Sequence, residues 1–325
     1  MPDGTLASKS FYGKTIRIRD ASTGKCLRNL EGHTDEIYTL IELNGNLVSG
    51  SEDNTIRVWN PTTGQCSETL IGHTKAVTTL AKLSDGTVAS GSSDTTIRVW
   101  NIITGKCLKI FQGHSDIVAK VIQLRNGGAL ASGSSDKDIR LWDSSTDECL
   151  RTLEGHTDTV LKLVELHNGK LASSAGPKDK AIILWSNLWG TSTRSQKLEG
   201  HTNLIRALTE LPNDKLASAS LDNTIRIWDV ISGECIKILA GHTEGILTLK
   251  LLHNGMLASG SFDNTIKFWK PSTGKCVGTL NGHTNHVAPL KELRNGKLVT
   301  GTCHDARIWD MSQFNKTLIK YSKQL

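Results

Sequence analysis

Short apolar runs alternate with polar turns along this chain, and the alternation is organised in one unit that is copied almost from end to end. The clearest copy is Leu216 to Asp229, LASASLDNTIRIWD. Within it, Leu-Ala-Ser-Ala-Ser and Thr-Ile-Arg-Ile-Trp each alternate with the two-residue period of a strand, and the Asp-Asn between them favours a tight turn. The stretch predicts a β-hairpin. It recurs as LVSGSEDNTIRVWN at Leu47 to Asn60 and as LASGSFDNTIKFWK at Leu257 to Lys270, with variants ending at Trp100, Trp142, Trp185 and Trp309. A Gly-His pair precedes each copy, at His33, His73, His114, His156, His201, His242 and His283, so successive pairs are 40 to 45 residues apart.

Each repeat parses into four strands: one after Gly-His, two in the hairpin and one after the Trp. In the first full repeat these fall at Ile37 to Leu43, Leu47 to Ser51, Thr55 to Trp59 and Cys66 to Leu70. A four-stranded sheet of this size cannot cover both its faces, so the units must stack on one another. A period of about 40 to 45 residues with Gly-His and a closing Trp-Asp resembles the WD40-repeat family. The resemblance implies an all-β fold, a WD40-type β-propeller of four-stranded antiparallel blades, with residues 1–325 forming a single domain.

The ends of the chain bear on the number of blades. Seven Gly-His repeats run through Trp309, and ahead of them Gly4 to Asp20 is a further, partial copy with Arg19 where the Trp stands elsewhere. The tail Thr317 to Leu325 is similar to the first strand of the fourth repeat, Thr159 to Leu166, and could complete that partial copy. Eight blades are therefore expected, one of them assembled from both termini. In the rival arrangement Cys26 to Leu30 pairs outside Ala306 to Trp309 and closes a ring of seven. In either ring the closure carries the most altered repeats and is expected to be the least stable region.

Four polar or aromatic residues recur together: His33, Ser49, Asp53 and Trp59; His73, Ser90, Asp94 and Trp100; His114, Ser132, Asp136 and Trp142; His156, Ser173, Asp179 and Trp185; His201, Ser218, Asp222 and Trp228; His242, Ser259, Asp263 and Trp269. Ser, His and Asp together suggest a hydrolase, but a catalytic site needs one activated nucleophile with one base, not a set in every repeat. The family resemblance implies instead a structural hydrogen-bond chain from Trp to Ser to His to Asp in each blade. No P-loop, GxGxxG, HExxH or paired-carboxylate arrangement stands out, so no catalytic residue, cofactor or metal is assigned.

Composition changes this picture little. Glycine is abundant at 30 residues and proline scarce at 6, as hairpin-rich chains require. The net charge of +6 comes from Lys and Arg scattered along the strands without a basic run, which argues against nucleic acid. The Arg of the second hairpin strand, as at Arg57 and Arg98, is expected to pack its stem and solvate its head. No apolar run approaches a membrane span, and Lys9, Lys14, Arg17 and Arg19 interrupt any leader-like core. Six of the seven cysteines (Cys26, Cys66, Cys107, Cys149, Cys235 and Cys276) occupy one equivalent site per repeat, too far apart for disulfides. They are expected to be small buried hydrophobes in a reducing, cytoplasmic setting.

The fourth repeat carries the longest insertion, after Trp185, and Trp189 within it either tucks against its own blade or offers a contact site on the face opposite the Gly-His loops. WD-repeat proteins resemble one another as non-catalytic platforms, so a scaffold or adaptor binding a protein or peptide is expected on the Gly-His face. A substrate-recognition subunit of a ubiquitin ligase and a sensor domain of a larger protein are the alternatives. In the G-protein beta subunit and other family members, contacts fall three and five residues after the Gly-His histidine and just before the turn Asp. By that resemblance the bulkiest candidates here are Tyr38, Leu161, Lys178, Leu204, Arg206, Leu221, Leu247 and Phe262. Most of them fall in the fourth to sixth repeats, where they are expected to form an apolar patch with Arg206 as its cation.

Overall fold

The computed structural model describes residues 4–9, 13–21, 23–125, 128–288, 290–293, 296–301 and 306–309. Among them there are no helices, and the strands make eight antiparallel sheets arranged as blades in a ring. Blade one has three described strands, Thr5–Lys9, Ile16–Asp20 and Cys26–Leu30. Blades two to seven have four strands each, beginning with the inner strands Ile37–Leu43, Val77–Lys82, Val118–Gln123, Val160–Glu165, Ile205–Leu211 and Ile246–Leu251. Blade eight has Leu290–Glu292, Leu298–Gly301 and Ala306–Trp309.

Cys26–Leu30 decides the size of the ring. It pairs with Ile16–Asp20, with Ile16 opposite Leu30, and not with Ala306–Trp309. Ile16, Ile18 and Leu30 then pack with Ile37, Leu47 and Trp59 of blade two, so the partial N-terminal copy is a blade in its own right. The seven-bladed alternative is excluded by that pairing. The expected contribution of Thr317 to Leu325 lies outside the described residues.

The core lies between blades. Leu43, Val48, Ile56, Val58 and Leu70 of blade two form one cluster with Val77, Leu80, Val88, Trp100 and Ile102 of blade three, and each later blade repeats the arrangement. Burying a side chain of this size stabilises by roughly 1.5–3 kcal/mol, a gain that a lone blade could not obtain. In blades two to seven the second strand is sandwiched on both faces, which is why it is built of small and apolar residues such as Val-Ala-Ser-Gly-Ser: all five residues of Val88–Ser92 are buried. A Cβ at Gly50 would lie 2.6 Å from Val77 Cγ1 of the next blade, so small residues set how closely blades approach. The hairpin turn works through the residue after its Asp, which takes a left-handed conformation: Asn54 has φ 68° and Asn223 φ 69°, a geometry Asn tolerates better than most residues.

At the far end of the inner strands one side chain reaches back to the preceding blade. Gln123 Oε1 accepts from the Ser84 N–H at 2.7 Å, Glu165 Oε2 from Arg125 N–H at 2.7 Å and Glu292 Oε2 from His253 N–H at 2.8 Å. Glu210 accepts from both the N–H and Nδ1 of His167, at 2.5 and 2.6 Å. These bonds staple the ring on the face away from the Gly-His loops.

Two expectations are corrected. The repeated cysteines are not buried hydrophobes: Cys26, Cys149 and Cys276 are exposed and Cys66, Cys107 and Cys235 half-buried, all as free thiols. Each described one sits on an outer strand, opposite the Trp position at a register shift that turns it to the rim, as in Trp59 opposite Cys66. In the long loop of blade five the side chain that tucks in is Leu188, buried in the core cluster, while Trp189 is 46% exposed. The loop is fixed by Arg151, whose guanidinium donates to Gly190 O at 2.5 Å and Thr193 Oγ1 at 2.6 Å.

Candidate functional site

The recurring polar residues meet in the same way in six blades. In blade two Trp59 Nε1 donates to Ser49 Oγ at 2.8 Å, Ser49 lies 2.7 Å from His33 Nε2, and His33 Nδ1 lies 2.7 Å from Asp53 Oδ2. Asp53 also accepts from the Thr34 N–H at 3.0 Å and the Thr55 hydroxyl at 2.6 Å. The same three side-chain bonds span 2.6–2.8 Å in the sets of His73, His114, His156, His201 and His242. In blade eight Thr300 replaces the serine, 2.7 Å from His283 Nε2 and accepting from Trp309 Nε1 at 2.8 Å, while Asp305 lies outside the described residues. The glycine of Gly-His leaves room for this: Gly32 has φ 154°, and a Cβ there would lie 3.1 Å from the Trp59 ring.

The protonation pattern follows from the partners. With Nδ1–H donating to the carboxylate and Nε2 accepting from the serine, the imidazole is neutral. Burial lowers the pKa of His33, His114 and His242, against the opposing pull of their aspartates. Burial alone would raise Asp53, but hydrogen bonds from Thr55 and His33 outweigh it and hold the carboxyl at about 2. Ser49 is fully buried and His33 only 5% exposed, and the serine hydroxyl is committed to the imidazole.

The Gly-His face owes its shape to a feature that the sequence pattern did not predict. Every inner strand of blades two to seven has a register shift around its second residue: Tyr38, Thr78, Ala119, Leu161, Arg206 and Leu247. A β-bulge bends the strand locally and re-aims the side chain at the extra residue. The same six positions are those that the family resemblance selects as second contact points. Around them, the Leu221 N–H donates to Leu204 O at 2.9 Å, Leu221 packs over Gly245 of the next blade, and the Phe262 N–H donates to Gly245 O at 2.9 Å. The Phe262 ring then tilts against His286 of blade eight at 5.3 Å between centroids. Leu204, Leu221 and Phe262 are thus contiguous across blades six and seven.

Exposure is uneven. Phe262 is 41% exposed and Lys178 is exposed, whereas Leu161, Leu204, Arg206, Leu221 and Leu247 are half-buried, so the apolar surface is narrower than the sequence pattern suggests. Tyr38 is exposed but stands apart in blade two, where the Glu52 carboxylate, accepting from its hydroxyl, pushes the phenol up to about 12. Lys178 is anchored by its own N–H to Asp158 Oδ2 at 3.0 Å. Sequence reasoning passed over Lys120 and Lys162, each one residue beyond a bulge position. Aligning the repeats on their Gly-His pairs would have found them, since the place six residues after the histidine is Thr39, Thr79, Ala207 and Thr248 in the other four-stranded blades. Among the described residues no cluster of His, Cys, Asp and Glu is arranged to hold a metal ion, and no helix is long and apolar enough to cross a membrane.

Eight blades, with a bonded Trp-Ser-His-Asp set and a bulged inner strand in six of them, define a β-propeller built from WD repeats. The family model described as WD domain, G-beta repeat matches residues 24–60, 64–101, 105–143, 147–186, 192–229 and 233–270, and the chain belongs to the WD40 family. Among solved structures it is similar to the computationally designed Ika8 protein, with 30% identity, 95% of this chain and 94% of that chain covered, and a TM-score of 0.82. It also shares its fold with the WD40 beta propeller domain of Doa1, at 22% identity and a TM-score of 0.64 over 86% of this chain and 95% of that one. No curated protein matches the chain. WD40 propellers are generally protein-interaction scaffolds.

Proposed function

We propose that this chain is a non-catalytic scaffold or adaptor that binds a protein or peptide on the face formed by the Gly-His loops, centred on blades six and seven. The observation that carries this reading is the run Leu204, Leu221 and Phe262 beside the bulged Arg206, an aromatic anchor and a guanidinium at the mouth of the channel. Aromatic and Arg side chains set among partly buried neighbours supply most of the energy at protein interfaces. The burial and multiplicity of the Ser-His-Asp sets support a platform over an enzyme, and the six cysteines among the described residues, all free, suit a reducing compartment such as the cytoplasm.

Affinity capture with the intact chain, followed by direct titration of the captured partner, tests the assignment. Phe262→Ala and Arg206→Ala are each expected to weaken binding by roughly 1–3 kcal/mol, with little change in melting temperature. Glu52→Ala and Ser93→Ala, on blades two and three, should leave binding nearly intact. Equal binding by the wild type and by a Phe262, Leu221 and Arg206 triple alanine variant would refute it, and Trp189 would become the next surface to test.

A further inference from the structure

Three cations stand on consecutive blades where the channel opens on the Gly-His face. Arg206 occupies the bulge of the inner strand Ile205–Leu211, and Lys120 and Lys162 directly follow the bulge residues of Val118–Gln123 and Val160–Glu165. These inner strands pack side by side around the channel. At the bulge, blades two to five and seven carry uncharged residues, Tyr38, Thr78, Ala119, Leu161 and Leu247, and one position on, only blades four and five are charged. In a chain this repetitive, the charged departures fall on three neighbours.

Among the described residues, no carboxylate pairs with Lys120, Lys162 or Arg206, and Nε of Arg206 is buried without an acceptor. The acidic residues of the same strands, Glu165 and Glu210, sit at the opposite end, bound to Arg125 and to His167. All three cations are half-buried, so water screens them only in part. Burial lowers the pKa of the Lys120 ammonium; that of Lys162 falls to about 8, through burial first and then through the positive charges of Arg206 and Lys120. A lysine whose head reached open water would keep its ordinary value, so these heads are desolvated as well as mutually repelling.

We propose that Lys120, Lys162 and Arg206 form a binding site for a phosphate-class oxyanion at the mouth of the channel. The two ammonium groups supply point charges and the guanidinium a planar fork of N–H donors, the combination that suits a phosphoryl group. The bound anion relieves the repulsion that the empty site maintains. The site does not depend on the protein-docking assignment, because a small anion can test it with no partner present.

The test is thermal unfolding and calorimetric titration of the full chain at neutral pH with inorganic phosphate and pyrophosphate, ionic strength being balanced with chloride. Pyrophosphate should raise Tm dose-dependently, by about 5 °C at a hundredfold excess over its dissociation constant. Lys120→Met and Lys162→Met should each weaken binding roughly tenfold and the double variant should abolish the shift. Both variants should melt at or above the wild-type temperature, because each removes a desolvated charge. Lys82→Met, exposed on the neighbouring blade, should behave as wild type. No shift in the wild type, or an equal shift in the double variant, would overturn the proposal. A short glycine peptide bearing one phosphoserine separates the sources. Binding at least about tenfold tighter than inorganic phosphate, and weakened about tenfold in Lys162→Met, assigns a phosphoryl group carried on a polypeptide; equal affinity assigns a free anion.

Discussion

Replacing Trp100 by alanine is expected to lower the unfolding free energy by about 3–5 kcal/mol, read as a lower midpoint in urea. The ring is 1% exposed and packs in the cluster that joins blade three to Leu43, Val48 and Ile56 of blade two, so its loss opens a cavity at an inter-blade contact. Its Nε1 also donates to Ser90 Oγ at 2.8 Å. Asp94→Ala separates the polar contribution from the apolar one. It removes the acceptor for His73 Nδ1, for the Thr74 N–H at 3.0 Å and for the Thr96 hydroxyl at 2.7 Å, and leaves a buried imidazole unpaired. A loss of about 1–3 kcal/mol is expected. Trp100→Phe keeps most of the ring, loses the N–H, and should fall between wild type and Trp100→Ala. An unchanged midpoint for Asp94→Ala would show that the bonded set is not a structural element of the blade.

Acid is expected to destabilise the propeller in two stages, because His33, His114 and His242 take up protons in a higher pH range than Asp53 and Asp179. His33, His114 and His242 have folded pKa values below the unfolded 6.5, chiefly because they are buried. Between those values the unfolded chain binds more protons, so stability is full above about 6.5 and falls as pH drops through the folded values. Asp53 and Asp179 are held at about 2 against 3.8 in the unfolded chain, burial being outweighed by hydrogen bonds from Thr55, His33, His156 and the Thr157 amide. Their contribution is present above 3.8 and is lost as pH falls toward 2. Asp53 and Asp179 each contribute on the order of 1 kcal/mol after allowance for solvent screening, and the histidines act in the same direction. Melting temperature measured from pH 7 to pH 2.5 should therefore decline first below about 6.5 and again below about 4. A flat profile down to pH 4 would contradict neutral imidazoles in the blades.

Much of this molecule is legible in its sequence, because much of it is local. Strand period and turn chemistry act within a few residues, and Ile37–Leu43 and Cys66–Leu70 form with the limits that the pattern implies. The recurrence of Trp, Ser, His and Asp is visible in the sequence, and the resemblance to the WD-repeat family implied how they would be bonded once buried. Tertiary structure decided the rest. Whether Cys26–Leu30 pairs with Ile16–Asp20 or with Ala306–Trp309 is a choice between two local matches of similar quality, and the packing of Ile16, Ile18 and Leu30 on blade two makes it. Bulges such as that at Leu161 exist only relative to the strand opposite, so one strand's alternation cannot reveal them. The exposure of Cys26 and the partial burial of Leu204 depend on what the neighbouring elements cover. Lys120, Lys162 and Arg206 are more than 40 residues apart in order and become neighbours only because the ring sets equivalent strands side by side.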